Sequence, residues 1–373
     1  MKLPRILVVD DDPGMLRAVE RVLSQAYEVA GTRLPREALR IMNEFKPDLA
    51  VVDVRMPEMD GFELMHELKK TRADVDIILM TGSVHEIDAH LIRAIREKAF
   101  YFLQKPFDRE VLLTLVARCL ELRRLERDNR RHLKRLEREI ADARAFQQTM
   151  LPPERGRIGN VSVFARYTPC SELGGDLYDY VASSAGAALL IADVSGHGAS
   201  AAMLTGIVKS AFRSAGADDY SPLSVLERVH TGVRAFGDER FISLVCMRWF
   251  ARESKLEYVS GGHPPAVLWG RESTPTLIHA TGPIISPAFP QLSLWNQETL
   301  KLRGQNRVLL FTDGISDVYG DTGPFGFEGI MHEISKTPGG GLELLDCILE
   351  SIRNFSGGRP FEDDCTLLTA TLA

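Results

Sequence analysis

The first chemistry this sequence offers lies in carboxylates that end apolar runs. Arg5–Val9 runs into Asp10-Asp11-Asp12, and Leu49–Val52 runs into Asp53. Ile77–Met80 ends in Thr81-Gly82, and Phe100–Leu103 precedes Lys105-Pro106. Phosphorylating a carboxylate takes a free nucleophile, a divalent cation with acidic ligands, and a lysine to hold a phosphoryl oxygen. Asp10 and Asp11 are paired hard-oxygen donors of the kind Mg²⁺ prefers, and Asp53 is the lone carboxylate. Lys105 brings the positive charge, and Thr81 a hydroxyl that can follow the phosphoryl group. One Asp after a strand is usually a cap or turn residue. Several such residues in order at successive strand ends make a site.

A second set lies further along. Gly174-Gly175-Asp176 follows a strand and turn, and Ile191-Ala192-Asp193 leads into Val194-Ser195-Gly196-His197-Gly198. Phe311-Thr312-Asp313-Gly314 repeats the pattern, and Asp363-Asp364 precedes the last apolar run. Carboxylates flanked by glycines, which let backbone and water approach, suit a cluster of hard metals. Two such metals can share a bridging water, lower its pKa and clamp phosphoryl oxygens during in-line attack. No Cys or Ser is flanked by an evident base, which argues against a covalent nucleophile. His197, between glycines beside the Asp193 turn, and His263, on a Gly-Gly/Pro-Pro loop, are expected to shape the site rather than react.

Two kinds of scaffold must position these groups. Over the first 120 residues, short apolar strands alternate with amphipathic stretches, the pattern of a parallel sheet covered by helices. Such folds put ligands at the carboxyl ends of strands. From Glu110 to Met150 there is no Gly or Pro, which predicts one long helix or two joined ones. An apolar seam passes through Cys119, Leu122, Leu133, Leu136, Ile140, Ala143 and Met150 at steps of three and four, interrupted by Glu126 and Asn129. The outer positions are densely charged, so a two-stranded coiled coil and a homodimer are expected, the alternative being a charged single helix packed on a neighbouring domain. Pro152-Pro153 ends the helix. Beyond it, strands are expected at Val161–Tyr167, Ala187–Val194, Phe241–Phe250, Leu256–Ser260, Ala266–Trp269, Arg307–Thr312 and Thr366–Leu372, with helices at 199–214, 222–235 and 342–353. The division expected is 1–120, a helical linker 121–150, and an α+β domain 151–373.

Composition narrows the classes. The 373 residues carry a net charge of −6, which argues against a dedicated nucleic-acid surface. No helix-turn-helix candidate follows the first domain. No apolar run approaches the roughly 18 residues that span a bilayer. The N-terminus leads straight into a charged strand end, unlike a signal peptide. The five cysteines are scattered without C-x-x-C spacing, so neither a disulfide framework nor a zinc site is indicated, and a cytoplasmic setting is expected.

The stretches Val-Val-Asp-Asp, Asp-Val-Arg-Met-Pro-Glu-Met-Asp-Gly, Met-Thr-Gly and Lys-Pro-Phe resemble the CheY-like receiver domains of two-component response regulators. The resemblance implies a doubly wound α/β fold with a five-stranded parallel sheet. It makes Asp53 the phosphoacceptor, with Asp10, Asp11 and the carbonyl of Arg55 completing an Mg²⁺ site. Thr81 and Phe102 would be switch residues, Lys105 the phosphate-binding lysine, and a sensor histidine kinase the partner. Phe102 stands where many members carry Tyr.

The segments Gly-Gly-Asp-Leu-Tyr-Asp, Ala-Asp-Val-Ser-Gly-His-Gly-Ala-Ser-Ala-Ala, Gly-Gly-His-Pro-Pro-Ala, Thr-Asp-Gly and Asp-Asp-Cys-Thr resemble the metal-dependent Ser/Thr protein phosphatases of the PPM superfamily, in its SpoIIE-like and RsbU-like branch. The linker end Gln147-Gln148-Thr149-Met150-Leu151-Pro152 resembles that branch's lead-in. The resemblance implies a β-sandwich flanked by helices and two Mn²⁺ or Mg²⁺ ions held by Asp176, Asp193, Asp313 and Asp363. Asp193 would bridge the ions and the Val194 carbonyl would assist, with Asp364 a weaker candidate. Asp317 replaces a common Glu and Cys365 a common aliphatic, and neither change removes a ligand. The implied substrate is a phosphorylated STAS-type anti-sigma factor antagonist. The rival is a non-catalytic adaptor that binds a sigma factor or anti-sigma partner, but such adaptors lack several of the carboxylates that this chain keeps.

Overall fold

A computed structural model describes residues 3–82, 101–196, 198–236, 240–270, 274–320 and 323–373. The chain divides into two compact units, Met1–Arg135 and Leu136–Ala373.

In the first unit, β1 (Arg5–Val9), β2 (Glu28–Thr32), β3 (Leu49–Asp53), β4 (Asp76–Thr81) and β5 (Tyr101–Gln104) form one parallel sheet in the order β2-β1-β3-β4-β5. The inner strands are apolar except at their ends because both faces are covered. Leu7, Val9, Ala50 and Val52 pack on Ala38, Met42, Phe62, Met65 and Leu68 from the helices Pro35–Phe45 and Gly61–Thr71. Ile6, Val8, Val51 and Ile78 pack on Leu16, Val19 and Leu23 of the helix Pro13–Leu23 and on Leu112, Val116 and Cys119 of the helix Arg109–Met150. Asp12 caps Pro13–Leu23 by accepting from the Gly14 N–H at 2.7 Å. Asp60 and Glu63 form a capping box on Gly61–Thr71. The sheet order reverses between β1 and β3, so their carboxyl ends open the crevice where ligands bind in such folds. This is the doubly wound α/β fold expected.

Glu110–Met150 belongs to one continuous helix, Arg109–Met150, of 42 residues. At 1.5 Å per residue it is about 63 Å long. Its seam residues Leu133, Leu136 and Ile140 are exposed.

The second unit is a sandwich of two antiparallel sheets. Its strands are β6 (Arg155–Ile158), β7 (Val161–Thr168), β8 (Asp176–Ala182), β9 (Gly186–Val194), β10 (Ile242–Phe250), β11 (Lys255–Gly261), β12 (Ala266–Gly270), β13 (Thr276–Ile278), β14 (Glu298–Lys301), β15 (Asn306–Phe311), the short pair β16 (Tyr319–Gly320) and β17 (Gly323–Pro324), and β18 (Cys365–Leu372). One sheet runs β14-β11-β10-β9-β8 and the other β13-β12-β15-β18-β7-β6. Alternation builds the layers. Leu189, Ile191, Met247 and Trp249 face Val163, Ala165, Leu310 and Leu368 between the sheets. The intervening Leu190, Ala192, Leu244 and Cys246 face the helices Ala199–Ser214 and Pro222–Phe236. On the far side, Leu309, Phe311 and Leu367 pack on the helices Gly326–Lys336 and Gly341–Phe355. Among the described residues no helix is long and apolar enough to cross a membrane. All five cysteines are free thiols.

Candidate active sites

In the first unit, Asp53 ends β3 and Asp10 follows β1, both buried, while Asp11 is half-buried. Carboxylate oxygens of Asp10, Asp11 and Asp53 lie within 4.8 Å of one another. Lys105 follows β5. Its Nζ donates to Asp10 Oδ2 at 2.6 Å and to Asp53 Oδ1 at 2.7 Å, and its backbone N–H donates to the Thr81 carbonyl at 2.6 Å. Burial lifts the Asp53 carboxyl above its ordinary range, with Lys105 pulling it down and the charges of Asp10 and Asp11 pushing it up. Burial works against the Lys105 charge, yet its bonds to Asp10 and Asp53 hold its pKa above the usual lysine value. Three carboxylates facing one ammonium leave an excess of negative charge on hard oxygens, which fits a divalent cation.

Thr81 is buried at the end of β4, and Phe102 is half-buried on β5 opposite Leu79. Arg55 lies just past β3 and, with Asp11 and Asp60, lines an open cleft at this edge. Gly61 is required there, since a Cβ would come within 2.2 Å of the Asp53 carbonyl oxygen.

In the second unit, Asp176 and Asp193 stand directly opposite each other across β8 and β9. Tyr178, Leu189 and Ile191 belong to the core between the sheets, so the period of two puts both aspartates on that face, at its end. Asp313 starts the short helix Asp313–Ser316 after β15, and Asp363 and Asp364 precede β18. Asp176 is buried, and its Oδ2 accepts hydrogen bonds from Thr312 Oγ1 at 2.8 Å and from Thr366 Oγ1. Asp364 is buried too. Its Oδ1 accepts from the Cys170 N–H at 2.8 Å and its Oδ2 from the Gly175 N–H at 2.6 Å. Asp363 is exposed and accepts the Asp364 N–H at 2.8 Å.

These carboxylates feel one another. Burial, then the charges of Asp313, Asp363 and Asp364, push Asp193 up to about 7. Burial and the Asp193 charge raise Asp176 against the two threonine bonds. Burial and Asp363 raise Asp313. The charged groups that act on Asp193 are all carboxylates, a repulsion that divalent cations relieve. The donors are hard oxygens, so the residues fit Mg²⁺ or Mn²⁺.

Asp176 and Asp193 thus face each other, the charges of Asp313 and Asp363 reach Asp193, and the Val194 carbonyl lies where a Cβ on Gly175 would come within 2.5 Å of it. Both carboxylate oxygens of Asp364 accept backbone N–H groups, and its carboxylate also lies within 4.8 Å of ligand atoms of Asp363 and Cys170. His263 is buried, with Nδ1 at 2.8 Å from Ser243 Oγ, and Ser243 is opposite Asp193 across β9 and β10. Burial drives its pKa down to about 3, so the ring that pairs with Ser243 is neutral. His197 lies outside the described residues. Asp317 accepts from Ser316 Oγ at 2.9 Å, and the Cys365 thiol, whose pKa burial raises, donates to the Gly314 carbonyl at 3.0 Å. Thr312, Thr366 and Ser243 carry no reading from sequence. The two threonines do sit inside the quoted Thr-Asp-Gly and Asp-Asp-Cys-Thr stretches, which is the signal that could have found them.

Comparison with known proteins follows the same division. Residues 183–373 match the family model described as Stage II sporulation protein E (SpoIIE), and residues 6–117 match that of the response regulator receiver domain. The phosphoserine phosphatase RsbP of Bacillus subtilis 168 is 30% identical over 186 residues, covering 48% of this chain and 45% of that protein. The transcriptional regulatory protein GlrR of Escherichia coli K12 is 36% identical over 121 residues, covering 32% of this chain and 27% of that one. The chain therefore spans less than half the length of either relative. Among solved structures, the SiaA-PP2C domain of Pseudomonas aeruginosa has a TM-score of 0.55 at 17% identity, covering 64% of this chain and 97% of that one. That likeness concerns the fold.

Proposed function

Since the chain belongs to the SpoIIE family and carries a response regulator receiver domain ahead of it, we propose that it is a metal-dependent protein serine/threonine phosphatase controlled by phosphorylation of Asp53. The observation that carries the reading is the facing pair Asp176 and Asp193, joined by Asp313 and Asp363 in one repelling cluster at the end of the sandwich. Asp176, Asp193, Asp313, Asp363 and the Val194 carbonyl would hold two Mn²⁺ or Mg²⁺ ions, with Asp193 shared. Bound there, such ions lower the pKa of a water and neutralise phosphoryl oxygens. The chain's own part is positional. Thr312 and Thr366 fix one oxygen of Asp176, Asp364 ties the Gly175 peptide to the turn before β18, and Ser243 with His263 supports the strand behind Asp193.

In the receiver, Asp10, Asp11 and the Arg55 carbonyl would hold Mg²⁺. Lys105 already bridges Asp10 and Asp53, and would exchange part of that pairing for a phosphoryl oxygen once Asp53 has attacked the donor. Thr81 and Phe102 would report the new charge, and a sensor histidine kinase would supply the phosphoryl group. The long helix 109–150 would join two copies through its exposed seam. The substrate we favour is a phosphorylated STAS-type anti-sigma factor antagonist, and the similarity to RsbP, a phosphoserine phosphatase, supports a phosphoserine on it.

The test is Mn²⁺-dependent hydrolysis of p-nitrophenyl phosphate and of phosphorylated antagonist proteins by the full chain. Activity is expected in the wild type and its loss in Asp193→Ala. A wild type with no metal-dependent hydrolysis, with or without receiver phosphorylation, overturns the reading.

A further inference from the structure

The Gly-Gly step that delivers Asp176 has no room for side chains. A Cβ on Gly174 would come within 2.2 Å of Tyr167 Oη and 2.6 Å of Asp364 Oδ2, and one on Gly175 within 2.5 Å of the Val194 carbonyl oxygen. Its place is therefore set through its peptide groups. Asp364 Oδ2 takes the Gly175 N–H at 2.6 Å, and the Val194 N–H donates to the Gly175 carbonyl at 3.1 Å. The two remaining groups, both on Gly174, go to a single side chain. Gln147 Nε2 donates to the Gly174 carbonyl at 2.6 Å, and the Gly174 N–H donates to Gln147 Oε1 at 3.2 Å.

Gln147 lies in the last turn of the helix Arg109–Met150. It is 6% exposed, whereas Ala143, Arg144, Phe146 and Gln148 beside it are exposed. A buried primary amide that pairs both its ends with one peptide is a directional clamp, because it satisfies a donor and an acceptor that would otherwise be orphaned.

We propose that Gln147 is a positioning residue for the metal centre: its carboxamide holds the Gly174 peptide so that Asp176, two residues on, meets the cation. It acts through Gly174 and touches neither cation nor substrate. The proposal rests on reading Asp176 as a metal ligand.

The test uses the full chain with Gln147→Met, of similar length but without polar ends, and Arg144→Ala as the control on the same helix turn. Arg144 makes an exposed ion pair with Glu172. Mn²⁺ affinity is read from the electron paramagnetic resonance of free Mn²⁺, and kcat and KM from hydrolysis of p-nitrophenyl phosphate. Folding is read from circular dichroism.

Gln147→Met is expected to raise the Mn²⁺ Kd about 10-fold, the usual cost of losing a supporting group around a metal site. It should lower kcat at fixed Mn²⁺ while leaving KM within about 2-fold, and excess Mn²⁺ should restore kcat. Arg144→Ala should match wild type. A folded Gln147→Met with wild-type Mn²⁺ affinity overturns the proposal, and so does an equal loss in Arg144→Ala, which would assign the effect to a loosened helix end. If Gln147→Met does not fold, Gln147→Glu, which keeps the acceptor for the Gly174 N–H but replaces the donor with a charged acceptor, is read against the same criterion. If the wild type binds Mn²⁺ but hydrolyses nothing, the phosphatase reading falls, while the Kd comparison still decides the role of Gln147.

Discussion

Individual residues here are set by what surrounds them more than by what they are. Asp53 and Asp193 both end or nearly end buried strands, but Lys105 compensates the first while other carboxylates crowd the second. His263 shows the same rule for a base. Its ordinary pKa is near 6.5 and burial in the folded chain drops it to about 3. Well above pH 6.5 the ring is neutral in both states and its pKa difference has no effect on stability. Below that, the unfolded chain takes up a proton that the folded chain refuses, so stability is lost as pH falls, down to about 3. Between pH 7 and pH 5 this one group accounts for a loss of about 2 kcal/mol. All three tryptophans, Trp249, Trp269 and Trp295, lie in the second unit, so their fluorescence follows its unfolding within the full chain. His263→Asn should therefore show a shallower fall in urea stability from pH 7 to pH 5 than wild type, by about that amount. Equal slopes would mean that the ring is protonated, or becomes exposed, in the folded chain.

Elements were legible where burial is complete and obscure at sheet edges. The inner strands β1, β3, β4 and β9 appear in the sequence as apolar runs of four or more residues, and β10 as a run broken by Ser243 and Arg248. The strands that sequence reading passed over in the large sheets, β2, β6, β8, β13 and β14, all lie at sheet edges. Edge strands are short and half-solvated, so their apolar signal is diluted. β8 is further disguised by Asp179, a buried carboxylate that the sequence presents as a surface residue and that Lys209 and Arg213 neutralise. The site aspartates were legible because each stands at a strand end or turn, often beside Gly. The threonines that hold Asp176 were not, because their bonds span 136 and 190 residues. The seam of the long helix belongs to this scale as well. Leu133, Leu136 and Ile140 are 53%, 52% and 40% exposed. Burying the exposed half of each against a second copy is worth about 1 kcal/mol per side chain, so several heptads together can hold a dimer. The double substitution Leu136→Asp, Ile140→Asp should convert a dimer to a monomer in sedimentation velocity without loss of helix content. A wild type that sediments as a monomer at all micromolar concentrations would remove the coiled coil from the scheme.

At the scale of the whole molecule, the issue is whether a bond formed at Asp53 reaches Asp193. The helix Arg109–Met150 gives the connection a physical form. Near its start, Leu112, Val116 and Cys119 pack in the receiver core, and near its end Gln147 holds the peptide before Asp176. A helix of this length is a stiff element, so a change in how two receivers pair would be felt along its seam as a change in helix register or separation. The energy required is modest. A tenfold change in phosphatase rate needs about 1.4 kcal/mol of differential stabilisation between two states of the linker, well within what a new phosphoryl charge beside Lys105 and Thr81 can supply. Beryllofluoride, which mimics the phosphoryl group on an aspartate, should therefore change kcat for a phosphoprotein substrate and the dimer dissociation constant together. Asp53→Asn should show neither change. The Leu136→Asp, Ile140→Asp chain should still bind beryllofluoride at the receiver, yet its phosphatase rate should no longer respond. A response that survives the loss of the seam would place the coupling outside the paired helices, and unchanged rate and association in the wild type would leave the receiver without control over the phosphatase.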